Sequence, residues 1–526
     1  MIPLEDFFRK PEKAMVRISP DGKHISYMEP WNRRLNINVM NIETDKSWRL
    51  TSSEERDIAG YLWLDDTQIL YLKDDGGDEN HHLYKVDIDG NNEVDLTPFD
   101  DTKCMLVDKL DEVDDHILIS LNKRDKQVFD VYRINVRTGK MEMVSENPGN
   151  FLGYQCDHDG KLRIAIASDG TNRNLFYRDN ENEEWKIIGE YNFKEWIAPL
   201  DFSPDNKKLY VASNLGRDKF GVFLASPDDM ENLEPVFDHP DVDVTNTIYS
   251  KHQNKLTGVV YETEYTEYSF FDKAREKVQL FIDEQLDGFS NTVMSFNKDE
   301  TKCIVVSDSD RHPGSYYILD TVNWKLKHLF DMKPWFKDDD MSNMKPIKYT
   351  SRDGLTIHGY LTLPNNSDGK DLPMIVNPHG GPFGIRDSWG FNPVIQFLAN
   401  RGYAVLQMNF RGSGGYGRQF QELGFKQWGK TMQDDITDGV SWAVSEGIAA
   451  KDRVSIFGGS YGGYATLAGL TFTPDVYRCG VDLVGPSNIF TLMDSIPPYW
   501  EPIREQMYEQ IGHPEKDKDF LTEISP

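Results

Sequence analysis

Ser460 lies in Gly458-Gly459-Ser460-Tyr461-Gly462, where the strand-like run VSIFGG gives way to an apolar, helix-like segment. A serine in a G-x-S-x-G turn between a strand and a helix is placed for nucleophilic acyl transfer. The sharp turn pushes the hydroxyl out, the flanking glycines let neighbouring backbone approach, and a helix N-terminus lies beneath the oxygen. Such chemistry also needs two N–H donors for the oxyanion. One is the backbone N–H of Tyr461, directly after the nucleophile; the other belongs to the loop Asn377-Pro378-His379-Gly380-Gly381-Pro382 after an earlier strand. His379 precedes the serine and so falls in the wrong chain order for the base, which makes it a structural residue. The order serine, acid, histidine leaves only His513 downstream, in the polar turn EQIGHPEKDKD, where a solvated loop histidine is expected. Asp482, in CGVDLVG, could be proposed as the acid but has no base to orient. The competing reading of the turn, an anion-binding glycine loop, lacks both the G-x-G-x-x-G spacing and the acidic residue after the next strand.

The elements around Ser460 explain its placement. From roughly Ile347 onward, strands alternate with segments of helical period: PMIVNP, the helix FNPVIQFLANRG ended by Gly402, the strand YAVLQMNF, a helix with Met432, Ile436, Val440, Ala443 and Val444 on one face, then VSIFGG and CGVDLVG. This order predicts a parallel sheet covered by helices, with functional groups at the carboxyl ends of the strands. The stretch NFRGSGGYG, Asn409 to Gly417, follows one such strand. Two readings of it stand: a rim of the site in which Arg411 meets substrate, or a flexible loop in which Arg411 pairs an acid.

The first two thirds of the chain repeat a phrase best written SPDGKHISY. Its anchors Asp21, Asp65, Asp114, Asp159, Asp205, Asn254 and Asp299 are 44, 49, 45, 46, 49 and 45 residues apart, the spacing of four-stranded propeller blades. A second strand–turn–strand phrase interleaves with it, from NVMNIETDKSWRL through YSFFDKAREKVQLF to YYILDTVNWKLKHLF. Two hairpins per period predict four strands per blade and an all-β seven-bladed propeller. The alternative is an array of β-sandwiches, whose strands have no fixed long period. The predicted organisation is an N-terminal segment over 1–15, the propeller over 16–340 and an α/β-hydrolase domain over 341–526 that lacks its last strands.

A net charge of -29 argues against nucleic acid or an anionic membrane surface as partner, since phosphates are held by Lys and Arg. Cys104, Cys156, Cys303 and Cys479 are scattered without a C-x-x-C, so buried free thiols are expected rather than a disulfide framework or a zinc ribbon. No cofactor and no metal are expected. No window is apolar over the roughly 18 residues of a membrane span, and the N-terminus lacks a signal-like apolar stretch, which makes the cytoplasm the default location.

Taken in order behind a propeller, HGGP, NFRGSGGYG, WGKTMQDD and GGSYGGYA resemble the prolyl oligopeptidase family of serine peptidases, in its acylaminoacyl-peptidase and dipeptidyl-peptidase-like branch. The resemblance implies that Ser460 is the acylated nucleophile, that Tyr461 and Gly381 donate to the oxyanion, and that the propeller limits substrates to short peptides. It also implies that the segment IFTLMDSIPPYWEP, with Phe490, Tyr499 and Trp500, lines the pocket for the residue before the scissile bond; simple core packing is the other reading of these residues. The paired-glutamate motif by which exopeptidase members grip a free amine has no convincing copy here. Family members continue past the ISP of Ile524 to Pro526 into two strands bearing the catalytic Asp and His, so the chain is expected to be an N-terminal fragment, nearly inert on amides, with an unpaired sheet edge. An esterase on the same fold and a non-catalytic propeller platform are the alternatives.

Overall fold

The computed structural model describes residues 1–496 and 503–526. Seven small antiparallel sheets follow one another along the chain, over 14–49, 60–95, 104–145, 151–192, 197–237, 244–270 and 290–331, each with its strands in sequence order. They are the seven blades of a propeller. The repeated phrase has a physical basis in side-chain-capped turns between the first two strands of a blade. In blade 1, Asp21 accepts from Ser19 Oγ (2.7 Å) and the Lys23 N–H (3.0 Å), while Ser19 Oγ accepts from the His24 N–H (2.9 Å). Ser203 and Asp205 repeat this arrangement in blade 5. Apolar blade faces pack together: Ile164 and Leu175 of blade 4 meet Phe202, Leu209, Val211 and Phe223 of blade 5.

Six blades have four strands and the sixth has three. The stretch YSFFDKAREKVQLF, expected to be a hairpin, instead forms the strand Thr266–Phe270 and the helix Lys273–Gln285. The cause is local. Asp272 caps the helix by accepting from the N–H groups of Ala274 and Arg275, and Arg275, Val278, Gln279 and Ile282 form its buried face.

The chain then builds one six-stranded sheet, in the order Met344–Thr350, Thr356–Thr362, Ala404–Asn409, Leu372–Val376, Ala449–Gly459 and Cys479–Leu483. The first two strands are antiparallel to their neighbours, so the sheet is mixed rather than wholly parallel. Helices Pro393–Asn400, Thr431–Ser445 and Tyr461–Phe472 cover it. The expected face of the second of these is correct at Met432, Ile436, Val440 and Ala443, all buried in the core of this domain. The short N-terminal helix Leu4–Phe8 docks here too, with Phe7 packed edge-on to Phe397. Cys479–Leu483 forms one edge of the sheet, and its Val481 and Leu483 are exposed. Among the four cysteines, Cys104, Cys156 and Cys303 are buried and Cys479 is exposed, all of them free thiols.

Candidate active site

The strand Ala449–Gly459 ends one residue before Ser460, and the helix Tyr461–Phe472 begins one residue after it. Ser460 has φ 56° and ψ -121°, a left-handed conformation unusual for a non-glycine residue, and it is exposed. Its N–H bonds to the Leu483 carbonyl (2.9 Å) and its carbonyl accepts from Tyr464 (3.0 Å), so the strain is held at both ends. The elbow tolerates no side chain at two neighbouring positions. A Cβ on Gly462 would come within 2.2 Å of the Pro378 carbonyl oxygen, and one on Gly458 within 2.3 Å of the Gly462 oxygen. The Tyr461 side chain lies in the core among Phe410, Trp428 and Tyr464, which leaves its backbone N–H as its functional group at the site.

The loop after the strand Leu372–Val376 lies directly against this elbow. Asn377 Nδ2 donates to the Phe457 carbonyl (2.6 Å), and the Cβ direction of Gly380 points at Ser460 Cβ, 3.5 Å away. Neither the Tyr461 N–H nor the Gly381 N–H has a hydrogen-bond partner among the described residues. His379 stacks on Phe410 with ring centroids 4.3 Å apart, its Nδ1 2.7 Å from the Gly380 carbonyl and its Nε2 2.8 Å from Ser413 Oγ. Burial of the ring pushes its pKa down to about 4, against the pull of the Gly380 carbonyl, so it is a neutral, structural histidine.

A family model, "Prolyl oligopeptidase family", matches residues 389–526. Over its whole length the chain is 35% identical to dipeptidyl aminopeptidase BIII of Pseudoxanthomonas mexicana, covering 78% of that protein. The chain belongs to the prolyl oligopeptidase family. It is also 29% identical to dipeptidyl peptidase family member 6 of Caenorhabditis elegans, over 99% of this chain and 75% of that one. Among solved structures it superposes on a prolyl endopeptidase with a TM-score of 0.77 at 15% identity, over 99% of this chain and 79% of that one. A puromycin-hydrolyzing peptidase of Mycobacterium tuberculosis gives 0.76 at 16%, over 99% and 84%. Propeller and hydrolase sheet are thus those of prolyl oligopeptidase-family serine peptidases.

Within this family frame the remaining expected site residues separate. Arg411 is not free for substrate. It is buried, with its Nε and Nη2 on the Asp435 carboxylate (2.8 and 2.7 Å) and its Nη1 on Asp353 (2.8 Å). Burial works against its charge, but these hydrogen bonds and charges outweigh it and hold its pKa above the ordinary range. The substrate role for Arg411 is therefore corrected in favour of acid pairing, in a loop tied at both ends. Phe490 is half-buried in the helix Ile489–Asp494 and packs against the hydrolase core. Tyr499 and Trp500 lie outside the described residues. His513 is a turn residue, its Nδ1 accepting from the Glu515 N–H (3.1 Å), and Asp482 Oδ1 accepts from the Gly485 N–H (2.7 Å). No histidine among the described residues is hydrogen-bonded to Ser460.

Sequence reasoning missed the propeller's hold on the loop that follows the strand Ala404–Asn409. Asp218, Lys219 and Asp243 hold the segment Gly415 to Gln419, and Glu195 pairs with Arg418. Their only sequence signal is position, in the loops entering or crossing blades 5 and 6.

Proposed function

We propose that the chain carries the nucleophile and oxyanion donors of a serine peptidase that acts on short peptides through an acyl-enzyme on Ser460, with Tyr461 and Gly381 as the donors. The observation that carries this reading is the exposed Ser460 on a left-handed turn at a helix N-terminus, with the Gly380-Gly381 loop against it and the Tyr461 and Gly381 N–H groups without partners among the described residues. Similarity along the whole chain to a dipeptidyl aminopeptidase favours release of dipeptides from free N-termini. Phe490 is assigned to the pocket wall. The proposed location is the cytoplasm; among the described residues no helix is long and apolar enough to cross a membrane.

With no base hydrogen-bonded to Ser460 among the described residues, Ser460 attacks without a partner to take its proton, and the two N–H donors supply the stabilisation of the oxyanion. Activated esters, whose leaving group needs no proton, should then react far better than amides. The test is labelling of the chain by a fluorophosphonate, alongside turnover of p-nitrophenyl esters and of dipeptidyl p-nitroanilides with free and acetylated N-termini. Slow labelling and ester turnover that vanish in Ser460→Ala are expected. Labelling that survives in Ser460→Ala defeats the assignment of the nucleophile. Anilide turnover that is indifferent to acetylation defeats the dipeptidyl mode.

A further inference from the structure

Ser413 is fully buried between two loops, and its hydroxyl meets both the Phe410 carbonyl (2.6 Å) and His379 Nε2 (2.8 Å). A neutral imidazole has one N–H, so the network admits one of two tautomers. With the proton on Nε2, the Nδ1 lone pair would face the Gly380 oxygen at 2.7 Å, and that oxygen has no other partner among the described residues. With the proton on Nδ1, the Gly380 oxygen is satisfied and Nε2 accepts from the Ser413 hydroxyl, which then gives up its bond to the Phe410 oxygen. The Phe410 oxygen keeps the Ser413 N–H (3.0 Å). Only the second tautomer leaves neither carbonyl oxygen without a donor.

The consequence reaches the oxyanion through peptide planarity. The Gly380 C=O and the Gly381 N–H belong to one flat peptide unit and point in opposite directions, so a clamp on the oxygen fixes the direction of the hydrogen. Gly380 and Gly381 have no side chains to hold that plane.

The loop bearing Ser413 is itself held from two sides. Arg411 anchors one end on Asp435. The other end is held by the propeller: the Asp243 N–H donates to the Gly415 carbonyl (3.0 Å), and the Gly417 N–H donates to Asp243 Oδ2 (3.1 Å). Lys219 Nζ donates to the Tyr416 carbonyl (2.5 Å), the Arg418 N–H to the Asp218 carbonyl (2.9 Å) and the Gln419 N–H to Asp218 Oδ1 (2.7 Å).

We propose that Ser413 is a positioning residue for acyl transfer: docked in place by Asp218 and Asp243 of the propeller, its hydroxyl sets the His379 tautomer and so aims the Gly381 N–H at the oxyanion. The inference rests on the Ser460 reading for its catalytic meaning, but its structural core is measured separately. Nitrogen-15 NMR of the histidine-labelled chain, with His379 assigned by its loss in His379→Gln, should show a protonated Nδ1 and a bare Nε2 from pH 5.5 to 8. Ser413→Ala should shift those signals toward a tautomer mixture and Ser413→Thr should preserve them. Asp243→Ala should move them in the same direction as Ser413→Ala, although residue 243 does not touch His379. A protonated Nε2 in the parent chain, or His379 signals unmoved in Asp243→Ala, overturns the proposal.

In Ser460-dependent turnover of a p-nitrophenyl ester, Ser413→Ala should lower kcat about tenfold with KM within about twofold, and Ser413→Thr should stay within about twofold of the parent. Unchanged kcat in Ser413→Ala overturns the catalytic part. If the parent chain shows no Ser460-dependent turnover, the acyl-transfer reading fails, and the tautomer and its dependence on Asp243 are still decided by the NMR. If Ser413→Ala fails to fold, Ser413→Thr and Asp243→Ala decide the same question.

Discussion

Asp387 stands six residues beyond Gly381, and its backbone exchanges two hydrogen bonds with the Asn409 side chain (2.7 and 3.0 Å). Its Oδ1 accepts from Gln407 Nε2 (2.8 Å), while its Oδ2 and Gln407 Oε1 are both buried without a partner among the described residues. Burial pushes the carboxyl up to about 7, against the Gln407 hydrogen bond and the charge of Arg386. Between the ordinary carboxylate pKa and about 7, the folded protein keeps a proton that the unfolded chain has released. This site's contribution to stability therefore falls as pH rises through that window, and the penalty is complete above it. Asp387→Asn removes the titration and supplies a donor for Gln407 Oε1. At pH 8 it should stabilise the hydrolase domain by on the order of 2 kcal/mol, and it should be close to neutral at pH 4. Thermal midpoints of both proteins from pH 4 to 8.5 check this; parallel curves would show that Asp387 does not titrate in the window. None of this was legible in RDSWG, where an aspartate between Arg386 and Ser388 reads as a loop charge. Ser460 was legible because the turn it needs writes its own glycines into the sequence, whereas a buried carboxyl is defined by distant chain folding over it.

At the scale of elements, sequence and structure part company at blade 6. A strand–turn–strand phrase and a capped helix look alike over DKAREKVQLF if the run is judged by its flanking apolar residues. The helix wins because Lys, Ala, Arg, Glu and Gln carry little helical penalty and Asp272 supplies the cap. Packing then selects the face: Val278 and Ile282 join Cys303, Val305 and Leu319 of blade 7, and Arg275 lies 3.6 Å over the Phe296 ring. The helix thus follows the third strand of blade 6 in place of a fourth strand in the chain order and ties blade 6 to its neighbour. Asp272→Ala should cost about 1 kcal/mol of local stability. In a chain of this size the clean readout is amide exchange rather than a global midpoint, since one unfolding free energy is poorly defined for several domains. Exchange at Ala274 and Arg275 should speed up about fivefold, with the blade 2 strands unchanged. Equal acceleration in blade 2 would mean that the cap acts on the whole propeller.

For the whole molecule, the seven-fold period was readable because each blade repeats the same turn chemistry, and the hydrolase half because its elements alternate in period. The contacts between the two halves were not readable, since Asp218 and Asp243 meet their partners Gly417 and Gln419 across some two hundred residues of chain. Surface behaviour follows from two opposing features. The edge strand Cys479–Leu483 has no outer neighbour among the described residues, and Val481, Leu483 and Val484 are 58%, 56% and 82% exposed, a template for edge-to-edge pairing of two copies. A net charge of -29 opposes that approach. Repulsion reaches about 30 Å at 0.01 M salt and about 8 Å at physiological salt, so the balance depends on ionic strength. Sedimentation velocity should show a monomer at low salt and reversible association as salt rises toward 0.5 M. Val481→Lys, which places a solvated charge on the edge without altering the buried face of the sheet, should weaken that association at least tenfold. Association that weakens with added salt would assign it to ion pairs, and association unchanged in Val481→Lys would move it to another surface.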